Sequence, residues 1–145
     1  MKKEENSNYM MKVVLDTNIV VSAFLVPQGK PAAILRLALR HDFDICFDTA
    51  ILAEYEQVLC RSKFAGRINK SDIQRFFEII YSIGINIISM PSSGSMPDET
   101  DRKFYDVAKT ASAILITGDK KHYPDESFIV TPDQFLTYLE NKTIN

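Results

Sequence analysis

Short apolar runs alternate along the chain with longer segments in which apolar residues recur every three or four positions. The short runs are rich in β-branched residues, which is typical of buried strands, whereas the longer segments have the period of amphipathic helices. Strands that alternate with helices favour an α/β fold with a parallel sheet and right-handed crossovers. The predicted strands are residues 12–15, 44–47, 85–90, 114–117 and 128–130.

Helix boundaries are marked by turn-forming and capping residues. Pro31 fits the first turn of one helix, because that turn leaves its amide groups unpaired, and Gly84 fits the end of another. The predicted N-caps are Asp48 or Thr49, Ser71 in a capping box with Gln74, and Thr131 in a second box with Gln134.

A further helix is predicted to start near Thr100 or Asp101. Its apolar stripe includes Phe104 and Val107. Asp106 falls off this stripe, so we expect its side chain to face solvent.

The composition is that of one soluble globular domain of 145 residues. The first eleven residues are charged and polar, which predicts a flexible tail over residues 1–11 and a single domain over residues 12–141. No run has the length and hydrophobicity of a signal peptide or a membrane span. We therefore expect a cytoplasmic protein that does not associate with membranes.

The formal net charge of −2 provides no general attraction for nucleic acid. A polyanion would have to bind to a local basic patch. One basic segment, which is either such a patch or an ordinary solvated face, contains Arg61, Lys63, Arg67 and Lys70.

The cysteines and histidines do not form a metal-binding pattern. Cys46 lies in an apolar run and Cys60 in a helical one, so we expect buried, reduced thiols. His41 and His122 are far apart in sequence, and surface positions are expected for both.

Acidic residues follow the ends of the predicted strands. Asp16 ends the first strand and Asp119 follows the fourth, while Glu54, Asp98 and Asp101 lie in or near helices that follow strands. In parallel sheets the carboxyl ends of the strands share one edge, where ligands bind. Carboxylates brought together there repel one another unless a cation lies between them, and Mg²⁺ prefers oxygen ligands. The pattern indicates a metal site for phosphate chemistry, in which the cation activates a water and polarises a phosphoryl group.

Three segments and Glu54 carry a family resemblance. Leu15-Asp-Thr-Asn-Ile19, Asp98-Glu-Thr-Asp101-Arg-Lys-Phe104 leading to Ala108, and Leu115-Ile-Thr-Gly-Asp119 resemble the ordered motifs of PIN-domain nucleases. The similarity extends from about residue 12 to about residue 135 and is greatest to the toxin components of bacterial and archaeal toxin–antitoxin modules.

The resemblance implies a three-layer α/β sandwich with a five-stranded parallel sheet in the order 3-2-1-4-5. It implies cleavage of RNA with Mg²⁺ or Mn²⁺, an antitoxin protein as a partner, and a homodimer. The metal-binding and catalytic residues that it implies are Asp16, Glu54, Asp101 and Asp119, with Asp98 as an alternate for Asp101.

Polar residues next to the acids are assigned supporting roles. Thr17, Asn18 and Thr117 match polar positions of the family motifs and would orient carboxylates or contact substrate phosphate. Lys120, together with Lys121 and His122, stands beside the site and can contact a polyanion.

Two assignments at this edge stay open. Asp98 can be a helix cap, because the helix dipole favours a negative charge there. Asp119 can form an ion pair with Lys120 or Lys121 instead of binding metal.

Two other functions compete with a metal-dependent ribonuclease. The first is a catalytically silent module of the same fold that binds RNA or a protein partner. The second is a phosphotransfer domain with Asp16 as the nucleophile, which is disfavoured because Asn18 stands where haloacid-dehalogenase-like phosphatases have an acid.

Overall fold

The computed structural model describes residues 10–144, in which five parallel strands form one sheet. The strand order is β3-β2-β1-β4-β5, which confirms the predicted order. Helices flank the sheet and complete the predicted three-layer sandwich. The strands are β1 (Lys12–Leu15), β2 (Asp44–Phe47), β3 (Ile85–Asn86), β4 (Ile114–Ile116) and β5 (Ile129–Val130).

Six α-helices and three short 3-10 turns connect these strands within the described residues. The 3-10 turns are Ser62–Phe64, Glu99–Asp101 and Lys120–His122. The helices are α1 (Thr17–Leu25), α2 (Lys30–Leu39), α3 (Thr49–Leu59), α4 (Lys70–Ile83), α5 (Arg102–Ala111) and α6 (Pro132–Ile144).

The central strand β1 is buried on both faces of the sheet. Val13 pairs with Ile45 on one side and with Ile114 on the other, and Leu15 pairs with Ile116. A strand covered by helices on both faces needs a continuous apolar run, because neither face contacts water. This explains why the first strand lacks alternation between apolar and polar residues.

Aromatic packing joins the helices beside β1. The ring of Phe76 on α4 packs edge-on against Phe24 of α1, with 5.7 Å between centroids, and lies 6.1 Å from the ring of Tyr55 on α3. The hydroxyl of Tyr55 donates a hydrogen bond to the carbonyl of Leu15 at 2.5 Å. This bond ties α3 to the carboxyl end of β1.

Two of the predicted helix caps are confirmed. Asp48 accepts a hydrogen bond from the amide of Ile51 at 2.8 Å at the start of α3. At α6 the amide of Thr131 donates to Gln134, and the amide of Gln134 donates to the Thr131 hydroxyl, as a capping box requires.

The prediction that Ser71 caps α4 is wrong, because Asn69 has that position. The side-chain oxygen of Asn69 accepts from both the amide and the hydroxyl of Ser71, at 2.8 and 2.6 Å. Asparagine and serine are comparable caps, and the sequence offered both within three residues.

The third strand is shorter than predicted. Only Ile85 and Asn86 pair with β2, because β2 itself ends at Phe47, opposite Asn86. One further amide, that of Ile87, donates to the Phe47 carbonyl. Beyond this point the side chain of Ile88 is 90% exposed, so the β-branched run continues without a neighbouring strand.

The expectation that Asp106 faces solvent is also wrong. The segment that follows β3 lies across α5, where the amide of Met90 donates to Thr110 and the amide of Ser92 donates to Asp106. Arg102 reinforces this contact through the carbonyl and the hydroxyl of Ser92. The polar side of α5 is therefore covered, and Asp106 is buried.

The two cysteines differ from each other. Cys46 is buried in β2, as expected, and burial raises the pKa of its thiol to about 11. The expectation of a buried thiol is wrong for Cys60, which is exposed because the apolar face of α3 ends one residue earlier, at Leu59.

The predicted tail falls largely outside the described residues, since residues 1–9 are not among them. Met11 is described, and its carbonyl accepts from the amide of Asp44 at 2.8 Å. The domain boundaries at residues 12 and 141 stay a prediction. No helix in residues 10–144 is by itself long and apolar enough to cross a membrane, although α1 and α2 meet that measure when taken together across a 102° bend.

Gly84 ends α4 where there is no room for a side chain. A Cβ atom at this position would lie 2.3 Å from Cε2 of Phe47 and 2.6 Å from the carbonyl oxygen of Ile80. We expect Gly84→Ala to lower the free energy of unfolding by about 1–3 kcal/mol, measured by urea denaturation, because the core must shift. Gly66→Ala is the control, since a Cβ atom there meets nothing within 4 Å. Equal stability of the two variants would contradict the proposed close packing.

Candidate metal centre

Asp16 lies where β1 ends and α1 begins. Its amide donates to the carbonyl of Ile116 at 3.0 Å, which continues the pairing of β1 with β4 by one residue. As the N-cap of α1, its Oδ1 atom accepts from the amide of Asn18 at 3.3 Å. Only 5% of the residue is exposed. The sheet and the helix together therefore fix this carboxylate at the edge of the central strands.

Two hydroxyl groups hold the other oxygen of Asp16. Thr117 and Tyr123 donate to Oδ2 at 2.9 and 2.8 Å, and both residues are buried. The Thr117 hydroxyl in turn accepts from the amide of Asp119 at 3.1 Å. A buried carboxylate needs such donors, because its desolvation would otherwise be costly. The segment after β4 thus positions the acid that follows β1.

Glu54 joins three elements through its two oxygens. The hydroxyl of Thr17, at the start of α1, donates to Oε2, and the Lys103 ammonium of α5 lies 2.7 Å from Oε1. Glu54 and Lys103 are only 26% and 21% exposed, so water screens this pair less than it would a surface pair. The Thr17 hydroxyl thus contacts one of the predicted metal-binding carboxylates, while the metal-binding role of Glu54 stays a prediction.

His122 lies between the remaining acids. Its Nδ1 atom is 3.3 Å from Oδ2 of Asp101, and its Nε2 atom is 3.0 Å from Oδ2 of Asp119. One ligand atom from each of Asp98, Asp101 and His122 lies within 4.8 Å of the other two. Asp98 also caps the 3-10 turn before α5 by accepting from the amide of Thr100 at 3.0 Å, so its predicted capping role is confirmed.

The other polar residues that were predicted beside the acids are Asn18 and the two lysines after Asp119. The side-chain oxygen of Asn18 accepts from the amide of Gly118 at 3.3 Å and so links α1 to the end of β4. Lys120 and Lys121 are exposed. Among the ion pairs of residues 10–144, the partner of Asp119 is His122 and not either lysine.

The pKa values of nearby groups indicate that the acids influence one another. Burial, then the charge of Asp16, then that of Asp98, raise the pKa of Asp101 to about 6, while His122 acts in the opposite direction. Burial also raises the pKa of the Tyr123 hydroxyl, and the charges of Asp16, Asp101 and Glu54 raise it further. Three acids from different segments therefore act on a single hydroxyl group.

Sequence reasoning gave no role at the site to Tyr55, Lys103 or Tyr123. Burial raises the pKa of Tyr55 well above its ordinary value, and the charges of Asp16 and Glu54 add to this effect. A tyrosine on a buried stripe must find a hydrogen-bond partner, and this requirement was the available signal for Tyr55. Tyr123 follows a short 3-10 turn, where no periodicity predicts burial. Lys103 gave no signal, since a lysine beside a helix start is ordinary.

The donor set fits a hard divalent cation. Carboxylate oxygens from four segments provide the ligand type that Mg²⁺ and Mn²⁺ both accept. Burial is the largest cause of the raised pKa of Asp101, and the charges of Asp16 and Asp98 raise it further; a bound cation would relieve the repulsion between these charges.

Residues 12–121 match the family model of the PIN domain, and the chain belongs to this family. PIN domains are generally nucleases, and they use divalent metal ions. An uncharacterized protein of Methanocaldococcus jannaschii, MJ1680, is 33% identical over an alignment of 121 positions that covers 81% of this chain and 76% of that protein.

Two solved structures are similar in fold. PAE2754 from Pyrobaculum aerophilum superposes with a TM-score of 0.57 at 15% identity, covering 91% of this chain and 90% of that one. VapBC2 from Rickettsia felis, bound to a DNA fragment from its promoter, gives 0.54 at 19% identity, covering 83% of this chain and 97% of that one. At these identities the likeness concerns the fold alone.

Tyr123→Phe tests how the Asp16 carboxylate is held. Removing the hydroxyl leaves Oδ2 with a single donor in a buried position. We expect the free energy of unfolding to fall by about 1–3 kcal/mol in the presence of EDTA, measured by urea denaturation, because the lost bond is charge-assisted. Tyr138→Phe is the control, since Tyr138 is 49% exposed. Unchanged stability of Tyr123→Phe would argue against the bond.

Asp101→Asn tests the repulsion among the acids. The pKa of Asp101 in the folded protein is about 6, above the value of about 4 in an unfolded chain, so the folded state binds more protons between these values and stability falls as the pH rises through them. Asparagine removes this loss. We expect a rise in melting temperature of roughly 2–5 °C for the metal-free protein at about pH 7.5, and a smaller rise at about pH 4.5.

The control for Asp101→Asn is Asp125→Asn, which removes one exposed negative charge elsewhere. The same rise in melting temperature in both variants would show that the effect comes from the change in net charge. A lower melting temperature for Asp101→Asn at both pH values would contradict the repulsion.

Proposed function

We propose that the protein is a ribonuclease that hydrolyses RNA phosphodiester bonds with a bound Mg²⁺ or Mn²⁺ ion. The observation that carries the proposal is the convergence of acids from four segments of the chain around Tyr123 and His122. Asp16, Glu54 and Asp101 all raise the pKa of Tyr123, and Asp101 and Asp119 both contact His122. Such convergence is unfavourable without a cation, because like charges close together repel.

The proposed metal ligands are Asp16, Glu54, Asp101 and Asp119, with Asp98 as the alternate. The ion would polarise the phosphoryl group and lower the pKa of a bound water. Thr117 and Tyr123 fix Asp16, so that one of its oxygens is saturated and Oδ1 keeps a free lone pair. A rigid ligand of this kind keeps the geometry of a metal centre.

In this proposal Glu54 also links metal binding to the position of Lys103. Its oxygens are engaged by Thr17 and Lys103, so an ion bound at Oε1 would lie close to the Lys103 ammonium, and repulsion between the two cations would favour displacement of Lys103. An ammonium released beside the metal would then be available to a substrate phosphate. Asn18 and Lys120, both exposed at the same edge, are proposed as further contacts to phosphate.

The proposed biological role is that of a toxin restrained by an antitoxin protein. Two findings support this role: the motifs resemble those of toxin components of toxin–antitoxin modules, and the fold is similar to that of VapBC2, which was solved with a DNA fragment from its promoter. We propose in addition a homodimer and a cytoplasmic location without membrane association. The exposed basic segment of Arg61, Lys63, Arg67 and Lys70 supports contact with RNA.

A specific observation supports a second candidate, a catalytically silent module that binds RNA or a protein. Protein cations already compensate several acids, since Lys103 pairs with Glu54 and His122 contacts Asp101 and Asp119. A site balanced in this way could persist without metal. This candidate predicts neither cleavage nor a rise in melting temperature when Mg²⁺ or Mn²⁺ is added.

Asp16→Asn tests the ribonuclease. We expect the wild-type protein to cleave single-stranded RNA in millimolar Mg²⁺ or Mn²⁺ and not in EDTA, and the variant to lose at least about 100-fold in rate, because a neutral amide cannot replace the charged ligand. Cleavage is followed with a labelled RNA on denaturing gels. Either ion should also raise the melting temperature of the wild-type protein, since it binds the folded state only.

The matched control is Asp48→Asn, which removes an acid from another helix cap while keeping a good cap residue. It should cleave at nearly the wild-type rate. Undiminished cleavage by purified Asp16→Asn protein would refute the assignment of the site. Absence of both cleavage and metal-dependent stabilisation in the wild type would favour the silent module.

A further inference from the structure

We propose that His122 is a nitrogen ligand of the metal ion and gives the centre a preference for Mn²⁺ over Mg²⁺. The ion would be shared with Asp98 and Asp101, and Asp119 would hold the imidazole in place. This inference rests on the metal centre of the proposed function and specifies its ligands and its ion.

The position of His122 brings one nitrogen and two carboxylates within reach of a single ion. Ligand atoms of Asp98, Asp101 and His122 all lie within 4.8 Å of one another. Nitrogen and oxygen ligands bind such metals at about 2.0–2.2 Å, so two ligands of one ion are at most about 4.4 Å apart. Small side-chain rotations of these half-buried residues would close the difference.

The two contacts of the imidazole distinguish its nitrogens. Both nitrogens are within hydrogen-bond reach of a carboxylate, but the contact of Nε2 with Asp119, at 3.0 Å, is shorter than that of Nδ1 with Asp101, at 3.3 Å. A neutral imidazole carries one N–H, so when Nε2 donates to Asp119 the Nδ1 lone pair faces the carboxylate of Asp101. Two acceptors that face each other repel, and a cation between them makes both contacts favourable.

The arrangement of carboxylate, histidine and metal is a common one. A histidine that binds metal through one nitrogen usually donates its other N–H to a carboxylate, which fixes the ring orientation. Asp119 occupies the place of that carboxylate. In this assignment Nδ1 of His122 is the metal ligand in place of Asp119, for which the family resemblance implies that role. Asp119 is then a positioning residue that orients the imidazole.

The ligand types determine which ion is preferred. Mg²⁺ binds oxygen ligands and retains several waters, whereas imidazole suits transition metals. Replacing one oxygen ligand with an imidazole should therefore favour Mn²⁺ over Mg²⁺. Sequence reasoning assigned His122 to the surface because no second histidine or cysteine lies near it. Its partners are two aspartates, Asp119 at the start of the same turn and Asp101 from another segment.

His122→Asn tests the proposal through binding of the metal alone. We expect the affinity of the metal-free protein for Mn²⁺, measured by isothermal titration calorimetry, to fall about tenfold or more, and that for Mg²⁺ to change less than about threefold. Pulsed electron paramagnetic resonance of the Mn²⁺-loaded wild type should show the modulation of a coordinated nitrogen, which the variant lacks. Circular dichroism checks that the variant folds; we expect that it does, because the replaced side chain is 43% exposed.

The control is His41→Asn. His41 contacts the carboxylate of Asp44 at 2.8 Å on the surface, so this variant also removes an imidazole that is paired with an acid. It should retain both affinities and the nitrogen signal.

The outcomes separate this inference from the proposed function. Mn²⁺ that binds without a nitrogen signal, and with equal affinity in His122→Asn, overturns the role of His122 and leaves the carboxylate centre intact. In that case the imidazole is only a counter-charge for Asp101 and Asp119. Failure of the wild type to bind either ion at millimolar concentration overturns both proposals.

Discussion

The Asp16 carboxylate is the element on which the whole arrangement depends. It ends the central strand, caps α1, and accepts hydrogen bonds from Thr117 and Tyr123 of the segment after β4. A charge this deeply buried is tolerated only where donors replace water. The parallel pairing of β1 with β4 supplies these donors, because it brings residues about a hundred positions apart to the same edge. The fold is thus a precondition of the site, and the site constrains how β1 and β4 can pair.

Order, type and spacing of the elements were predictable from the sequence, whereas the lengths of edge elements were not. The β1 run is buried on both faces and is read correctly as a strand. The run from Ile85 is also rich in β-branched residues, yet most of it is not in the sheet, because the length of β3 is set by where β2 ends. Asp106 illustrates the same limit, since its burial depends on a loop that no periodicity describes.

The acids of the site were predictable for a different reason. Strand ends in a parallel sheet share an edge, so a motif read along the chain becomes a cluster in space. Their partners were not predictable, because partner choice depends on side-chain reach. Lys103 contacts Glu54 from another helix. Asp119 contacts His122 and not the lysines that follow it in sequence. A lysine next to an aspartate in sequence can point away from it, and here both such lysines are exposed.

Charge balance gives the strongest physical reason to expect a divalent ion. Five carboxylates meet at this edge, and the cations that pair with them among the described residues are Lys103 and His122. Even a protonated imidazole would leave the cluster negative. Burial is the main cause of the raised pKa of Asp101, and the charges of Asp16 and Asp98 add to it. Hydrogen bonds steady individual carboxylates, as Thr117 does for Asp16, but they do not remove their charge. In a silent binding module this residual repulsion would only destabilise the fold. In a centre that binds a divalent ion, relief of the repulsion contributes to the free energy of metal binding.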